Sequence, residues 1–414
     1  MTDAVARDAV STRDRWVLTG AGAAIFLLIL IVDGRPWDLR DGLMIGAPFG
    51  RDFANFWMGG KLAIDGQLDV LVDFDRYNDL LFQLFHHNAR GLVFSYPPHI
   101  LLFLAPFGAL PYVLSDLLWS AGNLGLIAAA TRLLTRDRAL GWCACLSPAA
   151  LMMVAVGHFG GLLAYLAIFV LVRGKQRPVL AGCCLALISI KPQFAAGLGL
   201  FLLLVGEWRV ILAAVPATAG LIGLSVLAFG VKPWVGFFEW TLPFHAQLLV
   251  NFQLSAFRTA MSVYTTVRMA GLGDTVARAL QVAYALPFMA GAVLLFVRQG
   301  PNPRTIAFAL FAALAVLPYA AIHDFAIVMP ALTVALFSSP DQQVRPLLPL
   351  GAASALWFAP AFAIPFGQFG LPVVPIVVLV TLAIALIGQW RPSSPQPGLA
   401  RPHEGATPPG RPAQ

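Results

Sequence analysis

The residues of this chain that are best suited to chemistry stand at the breaks between long apolar runs. Asp52 lies in "GRDFANFWMGG", Lys191 in "ISIKPQF", and the pair His323 and Asp324 in "PYAAIHDFAI". A carboxylate can act as a general base, and an ammonium can stabilise negative charge that develops on a leaving group. Ionisable side chains at membrane depth are costly, so we treat these four as candidates for a functional site.

Two further candidates are Tyr96 in "FSYPP" and His158 in "AVGHFGG". Each has a structural alternative, because Tyr-Pro-Pro is often only a loop-to-helix turn and a histidine between glycines can form a packing turn. No metal site is predicted. The four cysteines form two tight pairs, 143/145 and 183/184, within apolar runs, whereas zinc sites use wider spacing. We interpret the cysteines as small packing residues.

The first four candidates have structural alternatives as well. Asp52 could cap a helix that starts at Phe53. Lys191 could extend to the membrane interface, as lysines near span ends do, although the proline after it breaks the helix. His323 and Asp324 could form a hydrogen-bonded couple that caps the following helix. The acids of the first long loop are predicted to form a solvated face: Asp65, Asp69, Asp73, Asp75 and Asp79.

The elements that must position these residues are membrane helices. The 414 residues are 59% hydrophobic and only 11% charged, against about 25% charged in soluble domains. Long apolar runs without strand-like alternation predict an all-α polytopic membrane protein with about 10–13 transmembrane helices. The net charge of +7 comes from short basic clusters between these runs, so it does not indicate nucleic acid binding.

The chain divides into a cytoplasmic tail at 1–15, an integral-membrane domain at 16–388 and a disordered cytoplasmic tail at 389–414. A large extracytoplasmic loop at 34–96 is predicted to hold two interfacial helices, "ANFWMGGKLAI" and "YNDLLFQLFHH". The proline-rich "FSYPPHILLFLAPFGALP" predicts a short re-entrant or tilted segment. Basic connections such as "RLLTRDR" and "RGKQR" are assigned to the cytoplasm, which gathers the candidate residues on the extracytoplasmic side.

The ordered set of motifs resembles glycosyltransferase family 87. The matching stretches are "RDFANFWMGGKLAIDGQ", "FSYPP", "VGHFGGLLAYL", "SIKPQF" and "IHDFAIVMPAL". At the third, the family more often shows Gly-Gln-Asn, so His158 departs from the pattern.

The resemblance implies a GT-C-type helical bundle and a polyprenyl-phosphate-dependent, mannosyltransferase-like enzyme in the bacterial inner membrane. Its partners would be a polyprenyl-phosphate sugar donor, a lipid-linked or glycan acceptor and membrane lipids, with no cofactor. By position, Asp52 matches the catalytic base, His323 a late-turn histidine near the active site, and Lys191 a residue near the donor phosphate. Tyr96, His158 and Asp324 complete the predicted substrate-binding residues.

Two other functions stay open at this point. A transporter or flippase of a lipid or small polar solute would also place ionisable residues in helix breaks, but the chain has no obvious internal repeat. A structural or assembly protein would not need its ionisable residues gathered on one side of the membrane.

Overall fold

A computed structural model describes residues 12–32, 37–38, 43–44, 47–48, 51–85, 92–251, 262–338, 354–361 and 373–387. The described parts are mainly helical, which confirms the predicted fold class. The predicted terminal tails lie almost wholly outside the described residues.

The α-helices are, in chain order, α1 Thr12–Val32, α2 Arg51–Ile64, α3 Phe74–Phe85, α4 Leu101–Gly108, α5 Tyr112–Leu134, α6 Arg138–Cys145, α7 Pro148–Val156, α8 Gly160–Arg173, α9 Pro178–Ile188, α10 Pro192–Leu204, α11 Trp208–Phe229, α12 Lys232–Gly236, α13 Leu242–Asn251, α14 Val263–Met269, α15 Asp274–Gln299, α16 Pro303–Ala315, α17 Met329–Phe337, α18 354–361 and α19 Val373–Ile387. Shorter 3₁₀ helices cover Leu68–Val72, Pro98–Ile100 and Ile322–Ile327, and a π-helix covers Phe237–Thr241.

A small antiparallel sheet lies in the first long loop. Its strands are β1 Trp37–Asp38, β2 Leu43–Met44 and β3 Ala47–Pro48, in the order β1-β2-β3. Each strand is two residues long, so the sheet is a local feature of the chain just before α2.

Prolines divide the apolar runs into short helices. Several helices begin at a proline, whose fixed φ suits the first helical position and whose missing N–H is not needed there. Two of these starts also have side-chain caps. Ser147 accepts a hydrogen bond from the Ala150 N–H ahead of α7, and Asn302 forms a capping box ahead of α16.

The long apolar helices identify the chain as a multi-pass membrane protein. Among the described residues, α5, α11 and α15 are long and apolar enough to cross a bilayer, and α6 with α7 can form a fourth span bent by 56°. Six further apolar helices have 10–17 residues, so they reach at most about 26 Å against a hydrocarbon core of about 30 Å, whereas α1 has 21 residues and reaches about 31 Å. These helices fit the predicted all-α polytopic membrane protein.

The helices predicted in the first loop are present as α2 and α3, but α2 does not lie along a surface. Phe53, Ala54 and Phe56 are fully buried. The backbone of α2 touches that of α4, since a Cβ on Gly60 would stand 2.2 Å from the Leu104 carbonyl oxygen. The apolar side of α2 is therefore held by protein. The histidines that end the second predicted helix fall outside the described residues.

Candidate functional site

Five separate segments meet at the site. They are the start of α2, the stretch just before the 3₁₀ helix Pro98–Ile100, the turn between α7 and α8, the junction of α9 with α10, and the 3₁₀ helix Ile322–Ile327. Asp52 is the second residue of α2, inside the first turn, so the helix starts two residues before Phe53 and Asp52 is not its N-cap. A carboxylate there is favoured by the positive end of the helix dipole.

His158 is positioned by a tight chain reversal. The chain leaves α7 at Gly157, whose φ of +72° is a left-handed conformation that glycine adopts without strain. The indole N–H of Trp119 on α5 donates to the Gly157 carbonyl at 2.9 Å, and the His158 N–H donates to the Met153 carbonyl at 2.9 Å. The imidazole is thereby fixed in the interior, where its residue is 2% exposed.

Lys191 and Asp324 form a buried ion pair. Lys191 stands between α9 and α10 because Pro192 starts the second helix. Its ammonium donates to Oδ1 of Asp324, and the two residues are 5% and 2% exposed. Asp324 Oδ2 accepts the Ala321 N–H at 3.0 Å, so both carboxylate oxygens are engaged. Asp324 thus caps the start of the 3₁₀ helix that contains it, and not the following helix as considered for the His323–Asp324 couple. Lys191 does not extend to a surface.

His323 stands between the two carboxylates. Its Nε2 is 3.9 Å from Oδ2 of Asp52 and 3.8 Å from Oδ1 of Asp324. These separations are slightly longer than a direct hydrogen bond. The Asp52 side chain is 27% exposed and that of His323 is 14% exposed, so this side of the site is open, whereas Asp324 is enclosed.

The two histidines lie against each other. The ring centroids of His158 and His323 are 4.3 Å apart, with the rings tilted by 32°. One ligand atom from each of Asp52, His158 and His323 lies within 4.8 Å of the other two. Sequence analysis placed all three in one predicted site on the extracytoplasmic side, but it predicted no metal site there.

Tyr96 completes the cluster. Its hydroxyl is 3.5 Å from Nε2 of His158, and its ring packs edge-on against Phe56 and Phe159. The structure thus brings all six predicted residues together, from positions 52 to 324. Their individual roles remain predictions.

The buried groups in the two turns have displaced pKa values. Burial lowers the pKa of His158 well below its usual range, and the charges of His323 and Lys191 act in the same direction. Burial acts to raise the pKa of Asp324, but Lys191, His323 and the Ala321 N–H outweigh it and leave that pKa lowered. The site is therefore described by a neutral His158 and an ionised Asp324.

Sequence reasoning missed two polar neighbours. Tyr319 interacts with Asp324 and shares a side-chain hydrogen bond with Gln193. His99 is buried, with its Nε2 3.1 Å from the Ser189 hydroxyl and its ring stacked on Trp234. Tyr319 lies four residues before His323 in "PYAAIHDFAI", and His99 lies three residues after Tyr96 in "FSYPPHILLFLAPFGALP". Their nearness in sequence to a candidate residue could have identified both.

An apolar cavity of about 240 Å³ lies beside the cluster. Ile190, which precedes Lys191, forms part of its wall. The rest is almost entirely apolar and includes Phe103, Leu118, Trp119, Gly122 and Leu162. Phe103 and Leu118 are exposed on the outside of the protein, so the cavity adjoins a surface that faces lipid if α5 is a span.

The acids of the first loop behave as the predicted solvated face. Asp69 pairs with Arg76 at 2.8 Å and Asp65 with Lys61 at 3.0 Å, all on the surface. The hydrogen bond from Arg76 lowers the pKa of Asp69. Asp65 and Asp69 therefore lie outside the cluster, and Asp75 and Asp79 are exposed as well.

Comparison with known families gives one match. The sequence model of the family described as Glycosyltransferase family 87 matches residues 94–318, more than half of the chain. The matched range contains Tyr96, His158 and Lys191, while Asp52 lies before it and His323 after it. No curated protein and no solved structure gave a significant match to the chain.

Proposed function

Since the chain belongs to glycosyltransferase family 87 and is a membrane glycosyltransferase, we propose that it transfers a mannose-like sugar from a polyprenyl-phosphate donor. The acceptor is a lipid or glycan on the extracytoplasmic side of the bacterial inner membrane, with both chain termini in the cytoplasm. Asp52 is the general base.

The observation that carries this proposal is the pairing of Asp52 with His323. The carboxylate is partly exposed at the open side of the cluster, and its Oδ2 is 3.9 Å from the imidazole Nε2. An acceptor hydroxyl that enters here can give its proton to Asp52. Asp324 is a poorer base, because both of its oxygens already accept hydrogen bonds.

The bond changes of the reaction are simple. The acceptor oxygen loses its proton to Asp52 and forms a bond to the anomeric carbon of the sugar. The bond between that carbon and the phosphate oxygen breaks, and polyprenyl phosphate leaves with the electron pair. Catalysis then requires a base at the acceptor and positive charge near the leaving phosphate.

The apolar cavity supports a lipid-linked donor. It adjoins Lys191 through Ile190, and its wall offers very few polar atoms. A polyprenyl tail that occupies this space would bring its phosphate to the Lys191 side of the cluster.

The direct test is transfer by the purified protein. The full chain is reconstituted in lipid nanodiscs and incubated with polyprenyl-phosphate mannose that is radiolabelled in the sugar, together with membrane lipid extract. We expect a labelled glycolipid or glycan that disappears in Asp52→Asn. A protein that moves labelled lipid between leaflets of vesicles but makes no product would instead support the transporter alternative.

A further inference from the structure

Three side chains of the cluster have the composition of a metal site. Asp52 supplies a carboxylate oxygen, and His158 and His323 each supply an imidazole nitrogen, with the three atoms within 4.8 Å of one another. Zinc binds such ligands at about 2.0–2.2 Å, so tetrahedral ligand atoms stand about 3.4 Å apart. The Asp52 to His323 separation of 3.9 Å is already close to this value. Small rotations of the partly exposed Asp52 and His323 side chains would bring the three ligand atoms to this separation.

The second observation is an unused ring nitrogen. Nδ1 of His158 has no hydrogen-bond partner among the described residues, and it is buried, since the residue is only 2% exposed. A buried polar atom without a partner is costly, and it commonly indicates a ligand, ion or water. The other ring nitrogen faces the Tyr96 hydroxyl at 3.5 Å, a weak contact that an imidazole ligand can keep as an outer partner.

The charges of the cluster also favour a bound cation. The ammonium of Lys191 is neutralised by Asp324, and Asp52 adds a further carboxylate. Two carboxylates, Asp52 and Asp324, thus adjoin the single ammonium of Lys191. A sugar donor that ends in phosphate is also an anion. A divalent cation held by Asp52 would add positive charge where that phosphate binds.

We infer that Asp52, His158 and His323 bind a divalent transition-metal cation, which holds the phosphate of the donor in its open coordination positions. Two imidazoles and one carboxylate suit Zn²⁺, Mn²⁺ or Fe²⁺ better than Mg²⁺ or Ca²⁺, which prefer oxygen ligands. Three protein ligands leave room for substrate, as in catalytic metal sites. Asp52 can ligate through one oxygen and accept a proton on the other. The metal site itself stands independently of the proposed function, whereas its role toward the donor phosphate rests on it.

Metal binding is measured first, without substrate. The full chain is purified without a polyhistidine tag, stripped with a chelator and dialysed against low-micromolar Zn²⁺ in nanodiscs, and bound metal is counted by mass spectrometry. We expect about one ion per chain, and at least about tenfold weaker binding in His158→Gln and in Asp52→Asn. Co²⁺ in place of Zn²⁺ should give visible absorption bands that report nitrogen ligands.

A matched control separates this site from other histidines. His245→Gln removes a histidine of α13 that is not one of the three ligands. It should bind metal as the wild type does. If His158→Gln fails to fold, His323→Gln and the Co²⁺ spectrum of the wild type carry the test. A wild type without bound metal, or undiminished binding in the cluster variants, overturns the site.

Transfer activity then tests the role. Chelator-stripped protein should lose at least about tenfold in sugar transfer and regain it with Zn²⁺ or Mn²⁺. Full activity of the stripped protein would overturn the role at the phosphate. If metal binds as expected but no product forms with or without it, the proposed function fails while the metal site stands.

Discussion

The ammonium of Lys191 donates a hydrogen bond to Oδ1 of Asp324, and this buried pair joins two turns that are 133 residues apart in sequence. The contact fixes the 3₁₀ helix that carries His323 against the junction of α9 and α10. It also changes how Lys191 should be interpreted, because the positive charge predicted to meet a donor phosphate already has a partner.

Breaking this pair from one side should destabilise the protein. Lys191→Met or Asp324→Leu alone leaves one buried charge without its partner, at a cost of about 3–5 kcal/mol. The double variant removes both charges, and we expect it to regain most of the lost stability. Thermal unfolding of the four proteins in the same detergent measures this.

Sugar transfer by the double variant tests whether Lys191 also acts on the donor phosphate. If the ammonium also acts on the donor phosphate, the double variant is stable but transfers sugar poorly at limiting donor. A stable double variant with normal donor use would leave Lys191 a purely structural residue.

Asp52→Asn should abolish most turnover without loss of fold. The amide keeps the shape of the side chain but cannot accept the proton, and general-base help is worth about 10²–10⁴-fold in rate. We expect at least a roughly hundredfold fall in kcat, with a melting temperature near that of the wild type.

Asp65→Asn is the matched control, since it makes the same change at the exposed end of the α2 segment, where Asp65 pairs with Lys61. It should transfer sugar normally. Near-normal turnover in Asp52→Asn, together with an inactive but folded Asp324→Asn, would move the base to the late turn.

Filling the apolar cavity should affect long-tailed donors selectively. Gly122 lines the cavity, and a Cβ at that position meets no atom within 4 Å, so Gly122→Leu can be accommodated. We expect its KM to rise for a long polyprenyl donor and to stay unchanged for a short-chain analogue, with kcat little affected. The comparison of KM for the two donors is the measurement.

Gly125→Leu provides the control on the same helix. A Cβ on Gly125 also meets nothing within 4 Å, and this glycine is not among the residues that line the cavity. If Gly122→Leu and Gly125→Leu change KM equally, or if KM changes equally for the long and the short donor, the polyprenyl tail binds elsewhere.

The side of the membrane that holds the site can be tested by thiol labelling in intact cells. Asp65→Cys and Arg136→Cys each put a thiol at an exposed position, and Cys183 is first changed to Ser because it is also exposed. An impermeant reagent should label position 65 and spare position 136. The opposite pattern would reverse the proposed topology, while labelling of both would show that the reagent had entered.

The sequence by itself determined the class of the protein and the short list of candidate residues. Apolar runs with few charges require helices in a membrane, and prolines at the starts of α7, α9 and α10 set the helix limits. Because ionisable residues are rare in such runs, the few that occur stood out, and Asp52, Lys191 and His323 were found without knowledge of their contacts.

Only the tertiary structure decided which of these residues contact each other. Sequence order says nothing of the distance between Lys191 and Asp324, or between the rings of His158 and His323. It also did not reveal that α2 is a core helix, because an amphipathic pattern looks the same whether its apolar side meets lipid or α4. Pairing and burial are properties of packed side chains, and these gave Lys191 its partner and the two histidines their shared site.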